Sequence, residues 1–339
     1  MATFKGVRGL NIKSLAADPS NLNEGDIWYN TVSQTLKTAS LYAAAWSAGG
    51  NLLAGTSQQS SFGTTTAALA AGGNPMPTLG LTSEEYNGSS WTAGGAMTQK
   101  RVECGGAGTQ TSGLIFGGQI ATIPPAPNST TACEEYDGSS WTTSPATLPV
   151  PKAAMASCGT QVATLGCGGY ITPSDPGTQV ATSEEFNGSA WTAGGTMDQA
   201  RRDFVAGVLG TQTAGLAVGG RIATTTTGIA EEYNGSSWTA VTAMPQACRS
   251  GGGTGPQTSA LVFGGQISPP TAINSTFSYD GSSWTAQANL AIATNMNSGA
   301  GADSTSALNL GGYSAPTTLS ASTEEYAPAY IGTKTITTS

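Results

Sequence analysis

Carboxylates are the side chains in this sequence best suited to acid–base chemistry or cation binding, and many of them stand as adjacent pairs. The 339-residue chain has 20 Asp and Glu against 12 Lys and Arg, and it contains no histidine. Without an imidazole, mechanisms that need a Ser-His pair, a Cys-His pair or a histidine-bound metal are excluded. Glu-Glu pairs remain candidates for acid–base catalysis or cation binding, and they occur at 84/85, 134/135, 184/185, 231/232 and 324/325.

The surroundings of each Glu pair favour a structural role. Adjacent side chains of a β-strand point to opposite faces, so the two carboxylates of one pair would not act together. We expect one Glu to be solvated and the other to be buried beside a cation, because an unpaired buried charge is costly. Basic residues recur ten or eleven residues after successive Trp residues, with Lys152 and Arg202 among the candidates. The pattern predicts ion pairs between neighbouring repeat units, the blades of the fold inferred below, from the acids Glu84, Glu134, Glu184, Glu231 and Glu324 and the cations Arg101, Arg201 and Arg249.

The remaining reactive residues give little support to metal, cofactor or carbohydrate chemistry. The five cysteines include no Cys-x-x-Cys pair, which argues against a zinc site and predicts free thiols. We therefore expect no cofactor and no enzymatic activity. A polysaccharide depolymerase stays a less favoured alternative, because it needs two carboxylates at a defined spacing. Along residues 53–330 the non-repeating acids away from the Glu pairs are few and share no pattern: Glu103, Asp175, Asp198, Asp203 and Asp303.

The composition excludes several further classes of protein. Only 9% of the residues are charged, and the net charge of −8 comes without a basic run that would bind a nucleic-acid backbone. No stretch approaches 18 consecutive apolar residues, so no membrane insertion is expected. The first residues lack the apolar run of a signal peptide, which predicts that the chain is not exported by itself.

One phrase recurs along the chain and determines the expected fold. EEYNGSSWTAGGAM begins at Glu84, and similar phrases begin at Glu134, Glu184, Glu231 and Phe277. Six Trp residues stand 45 to 50 residues apart, and six apolar runs each end in Gly-Gly. Each unit has four short strand-like segments without a helical period, and Asn-Gly or Asp-Gly between the last two indicates a two-residue hairpin. A four-stranded unit of this length is typical of a propeller blade.

The order of these features resembles a known repeat. An apolar run, Gly-Gly, an acidic residue with Tyr, Trp five residues later and then Met-x-x-x-Arg resemble the kelch repeat over residues 53–330. The resemblance implies an all-β fold, a six-bladed kelch-like β-propeller. In such propellers the repeated aromatic residues pack between blades, which here implies that role for Trp46, Trp91, Trp141, Trp191, Trp238, Trp284, Tyr86, Tyr136, Phe186, Tyr233, Tyr279 and Tyr326.

The first and last repeats predict how such a ring closes. Trp46 precedes the first Gly-Gly, whereas the last Gly-Gly, at 311–312, is followed by Tyr326 but by no Trp. The sixth blade therefore lacks its outermost strand, and we expect residues 40–48 to supply it and close the ring. The tail, 331–339, is available to add a strand there too. The predicted organisation is an N-terminal β arm at 1–39 and a propeller at 40–339.

The segments between each Gly-Gly and the next acidic residue vary in length and are rich in Pro and Thr. We expect them to share one face of the propeller with the connections between blades. Variable loops on a rigid scaffold are common recognition sites, with neutral length drift as the alternative. The candidate recognition residues are Pro124, Pro125, Pro127, Asn128, Pro173, Asp175, Thr224, Pro269, Pro270 and Pro316.

Residues 1–39 lie outside the repeat and contain GDIWYNT followed by SQTLK. This passage resembles the N-terminal stretch of phage virion proteins and tail fibres. The phrases AWSAGG, GAGTQT and EEYNGSSWT resemble kelch-type virion proteins of marine phages, especially those that infect cyanobacteria. The resemblance implies that the arm attaches the protein to the particle, through the candidates Lys5, Arg8, Lys13, Trp28 and Tyr29; for the basic residues, solvation of a flexible end is the alternative.

The function expected from this resemblance is a non-enzymatic virion structural protein, assembled in the host cytoplasm and located in the virion. A tail-associated, fibre- or adhesin-like component is favoured over a capsid decoration or collar protein. The expected partners are other virion proteins of the tail, fibre or capsid, and a polysaccharide or protein of the host surface. Weak contacts repeated over several copies would give avidity.

Overall fold

The computed structural model describes residues 12–75, 78, 80–120, 128–171, 178–268, 270–315 and 318–337. Its elements are β-strands, which confirms the predicted all-β class. Among the described residues, no helix has the length and apolar character needed to span a membrane. The chain divides into unit 1 (Met1–Ala45 and Pro328–Ser339) and unit 2 (Trp46–Ala327).

Unit 1 contains one four-stranded sheet in the order β1-β2-β3-β38. Its strands are β1 (Lys13–Leu15), β2 (Ile27–Asn30), β3 (Thr35–Tyr42) and β38 (Tyr330–Thr335). This division differs from the predicted boundary at 39/40, because residues 40–42 continue β3 and pair with residues 330–332. The described part of the C-terminal tail, residues 331–337, therefore completes the sheet of the N-terminal segment and adds no strand to the last repeat.

Unit 2 consists of antiparallel sets of four strands, and its described residues form six such sets. Set 1 is β5 (Ser60–Thr64), β6 (Ala67–Ala71), β7 (Ser83–Tyr86) and β8 (Trp91–Ala93). Set 2 is β9 (Gly105–Thr109), β10 (Ser112–Phe116), β13 (Cys133–Tyr136) and β14 (Trp141–Thr143). Set 3 is β15 (Ala156–Thr160), β16 (Ala163–Cys167), β19 (Ser183–Phe186) and β20 (Trp191–Ala193).

The other three sets follow the same order. Set 4 is β21 (Ala206–Thr211), β22 (Ala214–Val218), β25 (Ala230–Tyr233) and β26 (Trp238–Val241). Set 5 is β27 (Gly252–Gly255), β28 (Ala260–Phe263), β31 (Thr276–Tyr279) and β32 (Trp284–Ala286). Set 6 is β33 (Ser298–Asp303), β34 (Ser306–Leu310), β37 (Thr323–Ala327) and, from the start of the repeat region, β4 (Ala45–Ala48).

The second strand of each set is a run of apolar residues because both of its faces are covered. In set 2, Leu114 and Phe116 are completely buried. They pack with Phe186 of set 3, and in the same way Tyr86 of set 1 packs with Leu308 of set 6. The hydrophobic core of unit 2 therefore lies between neighbouring sets.

The first strands of neighbouring sets lie side by side. β15, β21 and β27 pair in parallel, which joins sets 3, 4 and 5 into one curled twelve-stranded sheet. β5 lies beside β9 and β9 beside β15, while β33 lies beside both β27 and β5. Gly, Ala and Ser dominate these strands, which lets the backbones approach closely. The architecture of unit 2 is propeller-like.

A small hairpin follows the second strand in sets 2 to 6, where the variable segments were predicted. The strands are β11 (Gln119–Ile120) with β12 (Asn128–Ser129), β17 (Tyr170–Ile171) with β18 (Thr178–Gln179), β23 (Arg221–Ile222) with β24 (Thr225–Thr226), β29 (Gln266–Ile267) with β30 (Thr271–Ala272), and β35 (Tyr313–Ala315) with β36 (Thr318–Leu319). Gly-Gly precedes each hairpin because these positions have a positive φ and leave no room for a Cβ atom. Gly118 has a φ of +88°, and a Cβ on it would lie 2.7 Å from the carbonyl oxygen of Val102.

The turn between the third and fourth strands differs from the predicted two-residue hairpin. Tyr86 pairs with Trp91, so the turn of set 1 has four residues, 87–90, of which only Gly88 has a positive φ. The Oδ1 atom of Asn87 accepts hydrogen bonds from the backbone N–H groups two and three residues later, at 3.0 and 2.9 Å. Asparagine thus acts as a side-chain cap, a role that a carboxylate fills equally well. The equivalent bonds are made by Asp137 and Asp280.

Candidate functional site

Buried ion pairs hold three of the sets together internally. Each cation lies just before the first strand of a set, and its acid lies on the third strand of that same set. Because cation and acid belong to the same set, these ion pairs lie within sets. The prediction placed them between neighbouring sets. Both side chains are almost fully buried. The pairs are Arg101 with Glu134, Lys152 with Glu184, and Arg201 with Glu231, each at 2.6 Å.

The prediction of a cationic partner was wrong for Glu84 and Glu324. The corresponding cation position holds Thr56 in set 1 and Thr294 in set 6. The Glu84 carboxylate instead accepts a hydrogen bond from the backbone N–H of Leu53 at 2.8 Å, and Glu324 accepts an equivalent bond in set 6. Burial raises the pKa of both carboxyl groups above the ordinary value.

Arg249 also differs from its predicted role. In set 5 the cation position holds Cys248 and the acid position holds Phe277. Both positions are therefore apolar, and the two side chains belong to the same hydrophobic cluster. Arg249 stands one residue later and points to Asp203, with its Nη1 atom 3.4 Å from Oδ2. The spacing from Trp placed Arg249 one residue away from the structurally equivalent position.

In four of the five pairs the second Glu is not simply solvated, as predicted, but accepts a hydrogen bond from a tyrosine of the next set. The distance from the tyrosine hydroxyl is 2.5 Å at Glu85 and Glu185 and 3.0 Å at Glu232. Burial first and the carboxylate second raise the pKa of Tyr136 to about 12. The donor–acceptor pairs are Tyr136 with Glu85, Tyr233 with Glu185, Tyr279 with Glu232, and Tyr86 with Glu325.

Two sets depart from this scheme in an informative way. Phe186 replaces the tyrosine of set 3, so it has no hydroxyl to offer Glu135. Ser278 replaces the second Glu of set 5, and Tyr326 of set 6 then donates to Oε1 of Gln287 at 3.1 Å. Gln287 is in turn held by Ser278, to which its Nε2 donates at 2.9 Å. Gln287, which directly follows β32, thus restores the acceptor that the replaced Glu would have provided.

The repeated Trp residues use their indole N–H groups to join neighbouring sets. In four sets the Nε1 atom donates to the hydroxyl just before the Glu pair, or its equivalent, in the preceding set. Ala230 lacks this hydroxyl, and Trp284 donates instead to the carbonyl of Thr242 at 2.8 Å and is less buried than the other five. The hydroxyl pairs are Trp91 with Thr323, Trp141 with Ser83, Trp238 with Ser183, and Trp46 with Thr276.

Six residues with left-handed backbone conformation form a hydrogen-bonded circuit around the axis. One residue precedes the first strand of each set, and its φ lies between +53° and +57°. The backbone N–H of each donates to the carbonyl of its counterpart in the preceding set, at 2.6 to 3.2 Å. Such strained conformations of non-glycine residues often mark functional sites. The circuit, in order, is Gln58, Glu103, Ala154, Asp203, Ser250 and Met296, with Gln58 bonded back to Met296.

The axial circuit borders a half-open cavity of about 70 Å³, which we call the axial cavity. Its wall includes all six circuit residues and the residues that follow most of them. Cys104, Met155 and Phe204 form an apolar side, whereas Gln59 and Asn297 form a polar side. This cavity is the candidate functional site of unit 2, because it combines strained backbone, buried polar atoms and carboxylates.

Charged groups surround this cavity at the circuit. The Oδ2 atom of Asp203 lies 2.6 Å from Nε of Arg221 and 3.4 Å from Nη1 of Arg249. Glu103 receives a hydrogen bond from the hydroxyl of Tyr170 at 3.0 Å. Burial and the nearby Asp203 raise the pKa of Glu103 to about 7. The two circuit carboxylates therefore differ: guanidinium groups compensate one, whereas neutral groups bind the other.

The hairpins carry only part of the predicted recognition residues within the described chain. Asn128 begins β12 and is partly buried, whereas Thr224 and Pro270 are exposed. Each hairpin starts beside the axial circuit: for example, Gln119 bridges to Val102, the residue before Glu103. Outside the described residues lie Pro124, Pro125, Pro127, Pro173, Asp175, Pro269 and Pro316.

In unit 1, the predicted attachment residues have different environments. Lys13 is exposed in β1, and Lys5 and Arg8 lie outside the described residues. The carboxylate of Asp18 accepts hydrogen bonds from Trp28 Nε1 at 3.0 Å, from Asn30 and from Lys37. These hydrogen bonds, that from Lys37 most of all, lower the pKa of Asp18 to about 2. Trp28 is therefore a buried anchor of the unit and is not available to a partner.

The opposite face of this sheet is apolar and exposed. The register places Ile27 and Tyr29 on the face that does not hold Trp28. Tyr42 and Tyr330 are paired on that same face, and their rings stack with centroids 4.9 Å apart. Ile27, Tyr29, Tyr42 and Tyr330 are each between 37% and 56% exposed, and we call them the apolar face of unit 1.

The repeat predicted the framework aromatics but not the cavity. All twelve predicted packing residues except Trp284 are buried. The six circuit residues share no side-chain type, so no sequence motif identifies them. Their constant position, two residues after the cation position of each set, is the one signal that could have revealed them. Gln59 and Asn297 carry no sequence signal of their own.

No protein-family model matches this sequence, and no curated protein matches it. Among solved structures, the chain is similar to the structure of YjhT, with 11% sequence identity and a TM-score of 0.71. The similarity covers 84% of this chain and 100% of the other. At this identity the likeness concerns the fold alone, and it agrees with a propeller-like all-β architecture.

Proposed function

We propose that unit 2 is a six-bladed kelch-like β-propeller closed by β4. Three observations support closure. Trp91 of set 1 donates to Thr323 of set 6 as other Trp residues do between consecutive sets. Tyr86 donates to Glu325 across the same two sets. The axial circuit returns from Met296 to Gln58.

We further propose that the chain is a non-enzymatic phage virion protein, associated with the tail, whose hairpin face binds another protein or the host surface. The observation that carries the proposal is that the hairpins of sets 2 to 6 all start beside the axial circuit. Differing segments are thereby gathered at one end of a rigid scaffold, which is the arrangement of a recognition surface. The phage assignment rests on the sequence resemblance of the N-terminal passage and of the repeats.

Unit 1 supplies the second half of the proposal, attachment to the particle. Of the twelve large hydrophobic residues that are exposed within the described chain, eight lie in this smaller unit. Contiguous exposed apolar surface is typical of protein–protein contact sites. The apolar face of unit 1, together with the basic arm residues, is the proposed contact with other virion proteins.

Substitutions on the apolar face of unit 1 test attachment without removing its buried anchor. A phage that lacks the gene is complemented with the wild-type protein or with the Ile27→Asp/Tyr330→Asp variant, and purified particles are analysed by quantitative mass spectrometry. We expect the variant to fold and to be lost from particles. Val162→Asp, at an exposed apolar residue of unit 2, is the matched control and should be incorporated.

The same particles distinguish the alternatives. A copy number of about 6 or 12 per particle supports the tail, whereas on the order of hundreds indicates a capsid decoration. Absence of the wild-type protein from particles contradicts the virion role altogether. Release of reducing ends from host polysaccharide by the purified protein would identify a depolymerase and overturn the non-enzymatic proposal.

A further inference from the structure

The turns between the third and fourth strands of sets 1, 3 and 4 each begin with an asparagine that is followed by a glycine. No other asparagine of the sequence precedes a glycine, and all three are exposed: Asn87-Gly88, Asn187-Gly188 and Asn234-Gly235. The backbone nitrogen of the glycine is covalently held within reach of the asparagine Cγ, because a bond between the two closes a five-membered ring. Glycine has no Cβ to hinder this approach. These turns therefore place an amide carbon beside a backbone nucleophile.

The side-chain carbonyl of each of these asparagines is held by hydrogen-bond donors of its own turn. At Asn87, the Oδ1 atom accepts hydrogen bonds from the backbone N–H of Ser89 at 3.0 Å, from the hydroxyl of Ser89 at 2.9 Å and from the backbone N–H of Ser90 at 2.9 Å. The turns of Asn187 and Asn234 contain the same three bonds, at 2.9 to 3.0 Å. Donors gathered on a carbonyl oxygen stabilise the negative charge that develops there when a nucleophile attacks the carbon.

The attacking nitrogen and the leaving group make no hydrogen bonds that such a reaction would break. Among the described residues, neither the N–H of Gly88 nor the Nδ2 atom of Asn87 donates to a protein acceptor, and the turns of sets 3 and 4 are alike in this. The glycine nitrogen can therefore lose its proton, and the amide group can leave as ammonia, while the remaining hydrogen bonds of the turn stay in place.

Sets 2 and 5 show that a carboxylate is accommodated at the same position of the turn. Asp137 and Asp280 accept the two equivalent backbone hydrogen bonds at 2.7 to 2.9 Å. The hydrogen bond from the backbone N–H of Ser140, followed by those from Ser139, lowers the pKa of Asp137 to about 2. The turn thus favours a negative charge, so an aspartate formed in sets 1, 3 or 4 would keep the contacts that the asparagine makes.

We propose that Asn87, Asn187 and Asn234 are modification sites, at which the folded protein converts the side-chain amide into a carboxylate with assistance from the donors of the turn. The nitrogen of the following glycine forms a bond to Cγ, and its proton leaves with the Nδ2 group as ammonia when the Cγ–Nδ2 bond breaks. Water then opens the cyclic imide at Cγ, which gives aspartate, or at the main-chain carbonyl, which gives isoaspartate and a longer backbone. Each conversion adds one negative charge to the net charge of −8. This proposal is independent of the virion role, since it rests on the turns alone.

Peptide mapping by mass spectrometry tests the proposal on the full-length folded protein after incubation at mildly alkaline pH. A synthetic peptide with the sequence of residues 84–95 is the positive control for the conditions, and Asn51, which is exposed but precedes leucine, is the control within the chain. We expect conversion at all three Asn-Gly turns and none at Asn51. If the three turns stay unmodified after the peptide has been converted completely, or if Asn51 is converted as fast as they are, the proposal is wrong.

The Ser89→Ala variant tests whether the donors of the turn assist the reaction. It removes the hydroxyl donor at 2.9 Å from Asn87 but keeps both backbone donors and the Asn-Gly pair. We expect conversion at Asn87 to become about twofold to tenfold slower, the range that one net hydrogen bond supplies. Asn234 is unaltered in the same molecules and should be converted at the wild-type rate, which makes it the matched control.

The products are identified with Asn87→Asp, which supplies the chromatographic standard that separates aspartate from isoaspartate. Equal rates at Asn87 in the wild type and in Ser89→Ala would overturn the proposed assistance by the turn. Because Ser89 lies exposed in the turn, the variant is expected to fold, and the rate at Asn234 reports on this in the same sample.

Discussion

At the residue scale, similar carboxylates of this protein have different energetic roles because of what faces them. Glu134 is paired with Arg101, whereas the hydrogen bond that Glu84 accepts among the described residues comes from the backbone N–H group of Leu53. Both carboxylates are nearly fully buried. The two carboxylates occupy the same position of the repeat and look equivalent in the sequence. They differ in the residue at the cation position of their set, two residues before the circuit residue: Arg101 for Glu134 and Thr56 for Glu84.

Glutamine substitution at these two sites should have opposite effects at pH 7. Glu134→Gln leaves the Arg101 guanidinium buried without its counter-charge, so we expect a loss of about 3–5 kcal/mol in the free energy of unfolding. Glu84→Gln keeps an acceptor for the Leu53 N–H and removes an uncompensated buried charge, so its free energy of unfolding should equal or exceed that of the wild type. Urea denaturation of both variants measures this. Equal destabilisation by the two substitutions would contradict the assignment.

The stability difference between the wild type and Glu84→Gln should also depend on pH. The folded-state pKa of Glu84 is raised, so the contribution of this carboxyl is favourable below its unfolded pKa and is lost as the pH rises through the folded value. The advantage of Glu84→Gln at pH 7 should therefore shrink as the pH falls toward 4. Urea denaturation across this range measures it, and a difference that stays constant with pH would argue against a buried, uncompensated Glu84.

At the element scale, the Asn/Asp-Gly turns show what a local motif can and cannot predict. The motif correctly predicted a reversal between the third and fourth strands, but the turn has four residues. The side chain of the first residue caps it, as for Asn187, whose Oδ1 accepts the backbone N–H groups of Ser189 and Ala190 at 3.0 and 2.9 Å. The cap depends on an acceptor oxygen and not on a positive φ, which explains why Asp137 and Asp280 are equivalent.

This cap predicts a simple substitution series at one turn. Asn187→Asp should leave the free energy of unfolding unchanged within experimental error, because a carboxylate makes the same bonds elsewhere in this chain. Asn187→Ala should lower it by about 1 kcal/mol through the loss of the capping bonds. Thermal and urea denaturation of both variants provide the comparison. If Asp proves as costly as Ala, the amide nitrogen and not the oxygen is the important atom.

At the scale of the whole molecule, repetition made the framework predictable and concealed the exceptions. Recurrence of Trp, Tyr and Gly-Gly was enough to predict an all-β chain of four-stranded units. The place of β38 in unit 1 was not predictable, because its pairing with β3 brings together residues almost 300 positions apart that share no motif. The axial cavity was hidden for another reason: it is lined by residues that differ from set to set, such as Gln59, Phe204 and Asn297.

The central claim is that the six sets close into a ring, and it makes sets 1 and 6 neighbours. The hydroxyl oxygens of Thr65 and Ser306 lie 2.9 Å apart across that junction although 241 positions separate them in the sequence. The hydroxyl oxygens of Ser259 and Ser304 lie 2.8 Å apart across the junction between sets 5 and 6. Sets 5 and 6 are neighbours in an open or a closed arrangement, so the second pair is a matched control.

Disulfide formation in two double-cysteine variants therefore tests closure most directly. Ser259→Cys/Ser304→Cys should cross-link in either arrangement, as detected by peptide mass spectrometry without reduction. A closed ring predicts that Thr65→Cys/Ser306→Cys cross-links to a similar extent within one chain and that its cross-link raises the melting temperature. If only the control pair forms its disulfide, sets 1 and 6 do not meet, and the closed propeller proposed here is wrong.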